Sequence, residues 1–259
     1  MNTSACQANY ATRIHTTFIQ QTGSYHLLHQ QPCEDMHYIY ESSDLCFYGI
    51  ADGQTGKSQC RAGGTSCLTS IAEYTRRHSI RNLIDHPFPD ELPYMMMREI
   101  RSQLLLLSQK DHVPLTEYAS TLLTAAIDSN SGQYILSHLG DGCIIGVTAD
   151  DSITILSPPE NGLTAQSTWL TTTPNAIPHL HLTFGSVANL KRLILMSDGA
   201  CTLCHGKHIS RTAQKLLLHG TTSDIKRHLL KTMPSDDLTC IILDFFHPHT
   251  DTPNEQVHP

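Results

Sequence analysis

LCFYGIADG, residues 45–53, is an apolar run that stops on Asp52-Gly53. Phe47, Tyr48 and Ile50 favour an extended backbone, so the run reads as a strand. The pattern recurs in YILSHLGDG (134–142), ending on Asp141-Gly142, and in LILMSDG (193–199), ending on Asp198-Gly199. A further acidic pair, Asp236-Asp237, directly precedes LTCIILDFF (238–246). Strand ends can carry side chains to a common edge. Carboxylates gathered there repel, and their pKa values rise unless cations neutralise them. A cluster made only of carboxylates selects hard ions such as Mg²⁺ or Mn²⁺. The pattern therefore predicts a two-metal hydrolase.

Asp-Gly is also a favoured two-residue hairpin turn. Asp141-Gly142, between two strand-like runs, fits that description. Asp52 and Asp198 do not, because a polar loop and then a helix-like segment follow each of them.

Outward from these runs, residues 11–20 and 36–40 read as strands, and residues 23–35 and 54–64 as loops. Residues 65–78 and 91–109 have helical spacing, joined by a linker with three prolines at 86–93. Residues 119–128, 133–139, 143–149 and 152–156 are strands separated by short turns, hence antiparallel neighbours. Weaker strands are expected at 169–172 and 180–184, helices at 211–219 and 223–231, and a closing strand at 238–246. Hairpins dominate this order, which predicts an α+β domain over residues 1–246 with mostly antiparallel sheet. The polar, proline-rich tail 247–259 is expected to be disordered.

At 259 residues the chain can bury one good-sized core. The formal net charge is −7, and no run rich in Lys and Arg suggests a nucleic-acid surface. No apolar stretch approaches membrane-spanning length, and the first twenty residues lack the apolar segment of a secretory signal. Nine cysteines, an odd number, fit a reducing compartment, so a cytoplasmic protein is expected. The 17 histidines are scattered, with no His-Glu-x-x-His pattern. CTLCH (201–205) matches a haem-attachment pattern, but without an export signal its cysteines read as incidental.

The acidic motifs, taken together, resemble those of the metal-dependent serine/threonine phosphatases, the protein phosphatase 2C family. FYGIADGQTG (47–56), SHLGDGCIIGV (137–147), LILMSDG (193–199) and DDLTCI (236–241) are similar to that family's motifs and stand in its order. PCED (32–35), preceded by Gly23 and His26, resembles the opening motif of a bacterial branch, as do YASTLL (118–123) and QSTWLT (166–171). The resemblance implies a four-layer α-β-β-α sandwich, two antiparallel sheets flanked by helix pairs. It implies two Mn²⁺ or Mg²⁺ ions and a phosphorylated protein as substrate, hydrolysed by a water held between the ions. Carried over by position, Asp52 would bridge the ions and the Gly53 carbonyl would be a ligand. Asp198 and Asp236 would complete one ion, and Glu34 would help hold the other. Asp35 would orient the water, and Asp141 would hold a third, weaker ion. The catalytic set is then Asp35, Asp52 and Asp198, and the chain is expected to act as a monomer.

Two positions depart from the family pattern. An Arg usually stands four residues before the Glu34 position and clamps phosphate; here it is Gln30, with His26 or His29 as candidate substitutes. Gln54 stands where eukaryotic members often carry His. A pseudophosphatase of the same fold is the rival reading. An aspartyl-nucleophile hydrolase would need an apolar strand ending in Asp-x-Asp, and the sequence has none.

Overall fold

The computed structural model describes residues 12–162, 167–204 and 208–247. Ten strands form two five-stranded sheets, and every ladder is antiparallel. The first sheet has the order β1-β10-β9-β6-β7, from β1 (Arg13–Gln21), β6 (Cys143–Thr148), β7 (Ile153–Ser157), β9 (Leu190–Met196) and β10 (Leu238–Phe246). The second has the order β2-β3-β4-β5-β8, from β2 (Asp35–Glu41), β3 (Leu45–Asp52), β4 (Leu122–Asp128), β5 (Gln133–Leu139) and β8 (His181–Ser186).

Alternation along the strands explains the layering. In β3, Tyr48 and Ile50 join the core between the sheets, whereas Phe47 and Ala51 join the layer under α2 (Cys60–His78), the short α3 (Ile80–Ile84) and α4 (Leu92–Asp111). In β9, Leu193 and Leu195 point inward, and Ile194 and Met196 point to α5 (Arg211–His219) and α6 (Thr222–Lys231). β10 repeats this with Ile241 and Leu243 against Cys240 and Ile242. Side chains alternate with period two. Strands covered on both faces therefore read as unbroken apolar runs rather than alternating ones. The result is an α-β-β-α sandwich with three apolar layers.

The structure departs from the sequence reading at several places, among them the unexpected helix at Ile80–Ile84 and a strand that begins at Leu122 rather than residue 119. Residues 23–35 contain a short helix, α1 (Ser24–Leu28). The helix expected from residue 65 begins at Cys60, because Gly63 packs where a Cβ would come 2.1 Å from the Tyr118 carbonyl oxygen. Glycine there permits the close approach, and tertiary packing overrides its poor helix propensity. The strand expected at 169–172 is absent. Trp169 instead stacks on His179 at 3.7 Å, Thr171 N–H donates to the Ser120 carbonyl, and Arg101 Nε donates to the Thr171 carbonyl. Turn and side-chain bonds satisfy this backbone without a ladder.

His247, the first residue of the expected tail, is anchored: its Nε2 lies 2.9 Å from the Leu190 carbonyl oxygen. The rest of that tail lies outside the described residues, as do His205 of CTLCH and Gln166 of QSTWLT. No described helix is long and apolar enough to cross a membrane.

Candidate metal centre

The acidic side chains meet at one end of the sandwich because the strand registers place them there. Asp35 and Asp52 are direct cross-strand partners in the β2–β3 ladder. In the other sheet, Met196 pairs with both Cys143 and Cys240, so the chain entering β6, leaving β9 and entering β10 arrives at the same edge. Asp141 precedes β6, Asp198 follows β9, and Asp236 precedes β10. Gly199 fits this junction because a Cβ would come 2.0 Å from the Asp237 carbonyl oxygen.

Carboxylate oxygens of Asp52, Asp141 and Asp198 lie within 4.8 Å of one another. Together with Gly53, Asp236, Thr121 and Thr168 they line a cleft of about 320 Å³. Burial, followed by the charges of neighbouring carboxylates, pushes Asp52 well above the usual carboxylate range and Asp198 up to about 7. Asp141 is raised by burial and by Asp236.

Asp35 does not line the cleft. It is fully buried and lies behind it, pushed up to about 8 chiefly by burial. Its Oδ2 accepts from Ser197 Oγ at 2.8 Å, and Ser197 Oγ in turn accepts the Thr239 N–H at 2.9 Å. Glu34 lines a second, wider groove of about 930 Å³ that also carries Gln31, Lys57 and Arg61. Its pKa is raised by burial against the opposing pull of His26.

Asp35 Oδ1, Glu34 Oε2 and Asp198 Oδ1 are buried without a hydrogen-bond partner. Buried polar atoms are normally satisfied; an orphaned carboxylate oxygen in the cleft at Asp198, with others at Asp35 behind it and at Glu34 in the neighbouring groove, fits a site built for cations. The donor set is all oxygen at Asp52, Asp141 and Asp198. These residues fit hard divalent ions.

The two neighbours Asp236 and Asp237 separate cleanly. Asp237 is 1% exposed; its Oδ1 accepts the Gly23 N–H at 2.7 Å and its Oδ2 the Glu34 N–H at 2.5 Å. Both oxygens are spent on tying the residue 23–35 segment down, whereas Asp236 faces the cleft.

The proposed clamp substitutes lie elsewhere. Gln30 is exposed, adopts the left-handed φ of 56° after α1, and lines neither cleft nor groove. His29 is exposed, with its Nδ1 2.8 Å from the Tyr25 carbonyl oxygen. His26 is buried against Glu34 and Asp237 and lines neither cleft nor groove. The sequence reading missed that position, and missed Ser197 as the support of Asp35. Cys204 is buried in the core under the turn that follows Asp198, and Cys201 is half-buried.

The family model of protein phosphatase 2C matches residues 22–233. The chain belongs to the protein phosphatase 2C family. Solved structures agree on the fold of this protein phosphatase 2C family member. A bacterial serine phosphatase superposes with a TM-score of 0.66 at 16% identity, over 92% of this chain and 100% of that one. The serine/threonine phosphatase Stp1 from Staphylococcus aureus gives 0.64 at 16% identity, over 93% and 99%. The catalytic domain of the serine threonine protein phosphatase PstP, solved in complex with 2 manganese ions, gives 0.61 at 14% identity, over 90% and 99%. No curated protein matches the chain in sequence.

Proposed function

We propose that this chain is a metal-dependent protein serine/threonine phosphatase acting as a cytoplasmic monomer on phosphorylated proteins. The observation that carries the reading is the convergence of Asp52, Asp141, Asp198 and Asp236 on one cleft, with buried carboxylate oxygens left unsatisfied. Asp52, the Gly53 carbonyl, Asp198, Asp236 and Glu34 would hold two Mn²⁺ or Mg²⁺ ions, and Asp141 a third. When bound, the ions would neutralise the phosphate dianion and acidify the water that attacks phosphorus.

The protein's own groups supply position. Asp35 Oδ1, buried beside Asp52 without a hydrogen-bond partner, would face that water once the ions hold the carboxyl ionised, while Ser197 fixes the other oxygen. Gln54, Thr55, Thr121 and Thr168 line the cleft as neutral hydrogen-bonding groups around the phosphate oxygens. The wider groove past Glu34, with Lys57 and Arg61, offers a path for the phosphopeptide chain.

One observation favours the rival reading of a weak or inactive phosphatase. No Arg or Lys is among the described residues that line the cleft, so the phosphate lacks a charged clamp there. Mn²⁺-dependent hydrolysis of an aryl phosphate and of a phosphothreonine peptide, with Asp198→Ala as control, decides between them. Turnover by the wild type that Asp198→Ala lowers by at least a hundredfold supports the enzyme. Mn²⁺ binding with turnover no higher than that of Asp198→Ala supports the pseudophosphatase.

A further inference from the structure

Four groups at the mouth of α1 stand apart from the all-carboxylate cluster. His26, 1% exposed, presents Nε2 to Glu34 Oε2 at 3.4 Å, and neither atom has a hydrogen-bond partner. That separation is too long for a good hydrogen bond between them. It matches the spacing of two ligands on one ion: atoms about 2.1 Å from a metal, at angles between octahedral and tetrahedral, sit about 3.0–3.4 Å apart. The opposite ring nitrogen, Nδ1, lies 2.9 Å from Asp237 Oδ2 in a bent contact. A carboxylate behind a histidine is the usual support of a metal-ligating imidazole, fixing its ring and its tautomer. A ring nitrogen of His26 and oxygens of Asp236 and Asp237 lie within 4.8 Å of one another. Asp237 is committed to two backbone N–H groups, and one Asp236 oxygen accepts the Asp237 N–H at 2.8 Å. Asp236 Oδ2 makes no such bond and is left open to an ion.

We propose that His26 Nε2 is a nitrogen ligand of the centre, holding one divalent ion together with Glu34 and Asp236. The centre is then asymmetric. The half at Asp52 and Asp198 has oxygen ligands only, and the half beneath α1 is mixed nitrogen and oxygen. Imidazole suits Zn²⁺ better than the harder Mn²⁺ and Mg²⁺, and it is a poorer ligand for Mg²⁺ than for Mn²⁺, so this half binds Mg²⁺ least well of the three. The inference rests on reading the cleft as a metal centre.

Pulsed EPR of the full chain, titrated with Mn²⁺ from below one equivalent to saturation, tests it without reference to activity. The expected spectrum carries a ¹⁴N coupling that changes to a ¹⁵N coupling in protein grown on [¹⁵N]histidine. The coupling is expected to vanish in His26→Gln, with Mn²⁺ affinity down about 10–100-fold and Mg²⁺ affinity changed much less. Glu34→Gln leaves the imidazole in place and is expected to weaken binding of the ion that bears the coupling. Mn²⁺ bound with no nitrogen coupling at any loading overturns the inference and leaves the metal reading standing. Coupling that survives in His26→Gln places the ion on another histidine and also overturns it, as does unchanged affinity in Glu34→Gln. If no Mn²⁺ binds at all, both the inference and the metal reading fall.

Discussion

Asp35 and Asp198 are carboxyls that bind protons more tightly in the folded chain than in the unfolded one, at about 8 and about 7 against an ordinary value of 3.8. Both shifts are upward, so their contribution to stability is full below the ordinary value and is lost as pH rises through 7 and 8. The metal-free protein is therefore expected to show a falling Tm between about pH 4 and pH 8. Saturating Mn²⁺ should raise Tm most at the alkaline end; at about one hundred times Kd, linkage gives about 2.7 kcal/mol. A Mn²⁺ effect independent of pH, measured by calorimetry, would contradict the repelling-carboxylate account. Gln30 gives a second test. Because it is exposed and lines neither cleft nor groove, Gln30→Arg is expected to leave kcat/KM within about twofold. A tenfold gain would mean that a side chain from that turn reaches phosphate after all. The acidic positions were legible in the sequence because each sits beside an apolar run. His26 was not: its burial depends on Asp237, more than two hundred positions away, reaching back to the Gly23 and Glu34 amides.

Elements were read best where apolar periodicity alone decides them, as in β5, α5 and β10. They were read worst where a neighbour's backbone decides. Residues 60–64 hold two glycines and look like a loop, yet they form the first turns of α2 against the Tyr118 carbonyl. Gly63→Ala is expected to cost about 1–3 kcal/mol by forcing helix and turn apart. Gly64→Ala should cost clearly less, since its Cβ would meet only side-chain atoms, the nearest at 3.1 Å. Equal losses in urea melts would refute that account. Residues 169–172 failed in the opposite sense. Trp169 and Leu170 are apolar because they are buried, not because they pair. β9 carries a buried charge as well: Arg192 Nε donates to Asp244 Oδ1 at 2.6 Å, and its Nη1 caps the Leu217 and Gly220 carbonyls at the end of α5. Removing the carboxylate in Asp244→Ala strands a buried guanidinium, and a loss of about 3–5 kcal/mol is expected on the same melts.

Across the whole molecule, the layer order followed from which runs were continuous and which were helical, whereas strand order within each sheet did not. Nothing local marks β10 as the strand that lies between β1 and β9. Ile241 in that strand is fully buried between the sheets, and Ile241→Ala is expected to lose about 2–5 kcal/mol, read as a lower Tm with intact secondary structure at low temperature. The placement of β10 also has a consequence in time. β1 emerges first during synthesis and finds its only ladder partner, β10, at the far end of the described chain. Until that strand arrives, nothing joins β1 to β9 and the Asp236 corner of the cleft does not exist. On the reading of the cleft as a metal centre, its ligand set is complete only once the strand after Asp236 has joined the sheet.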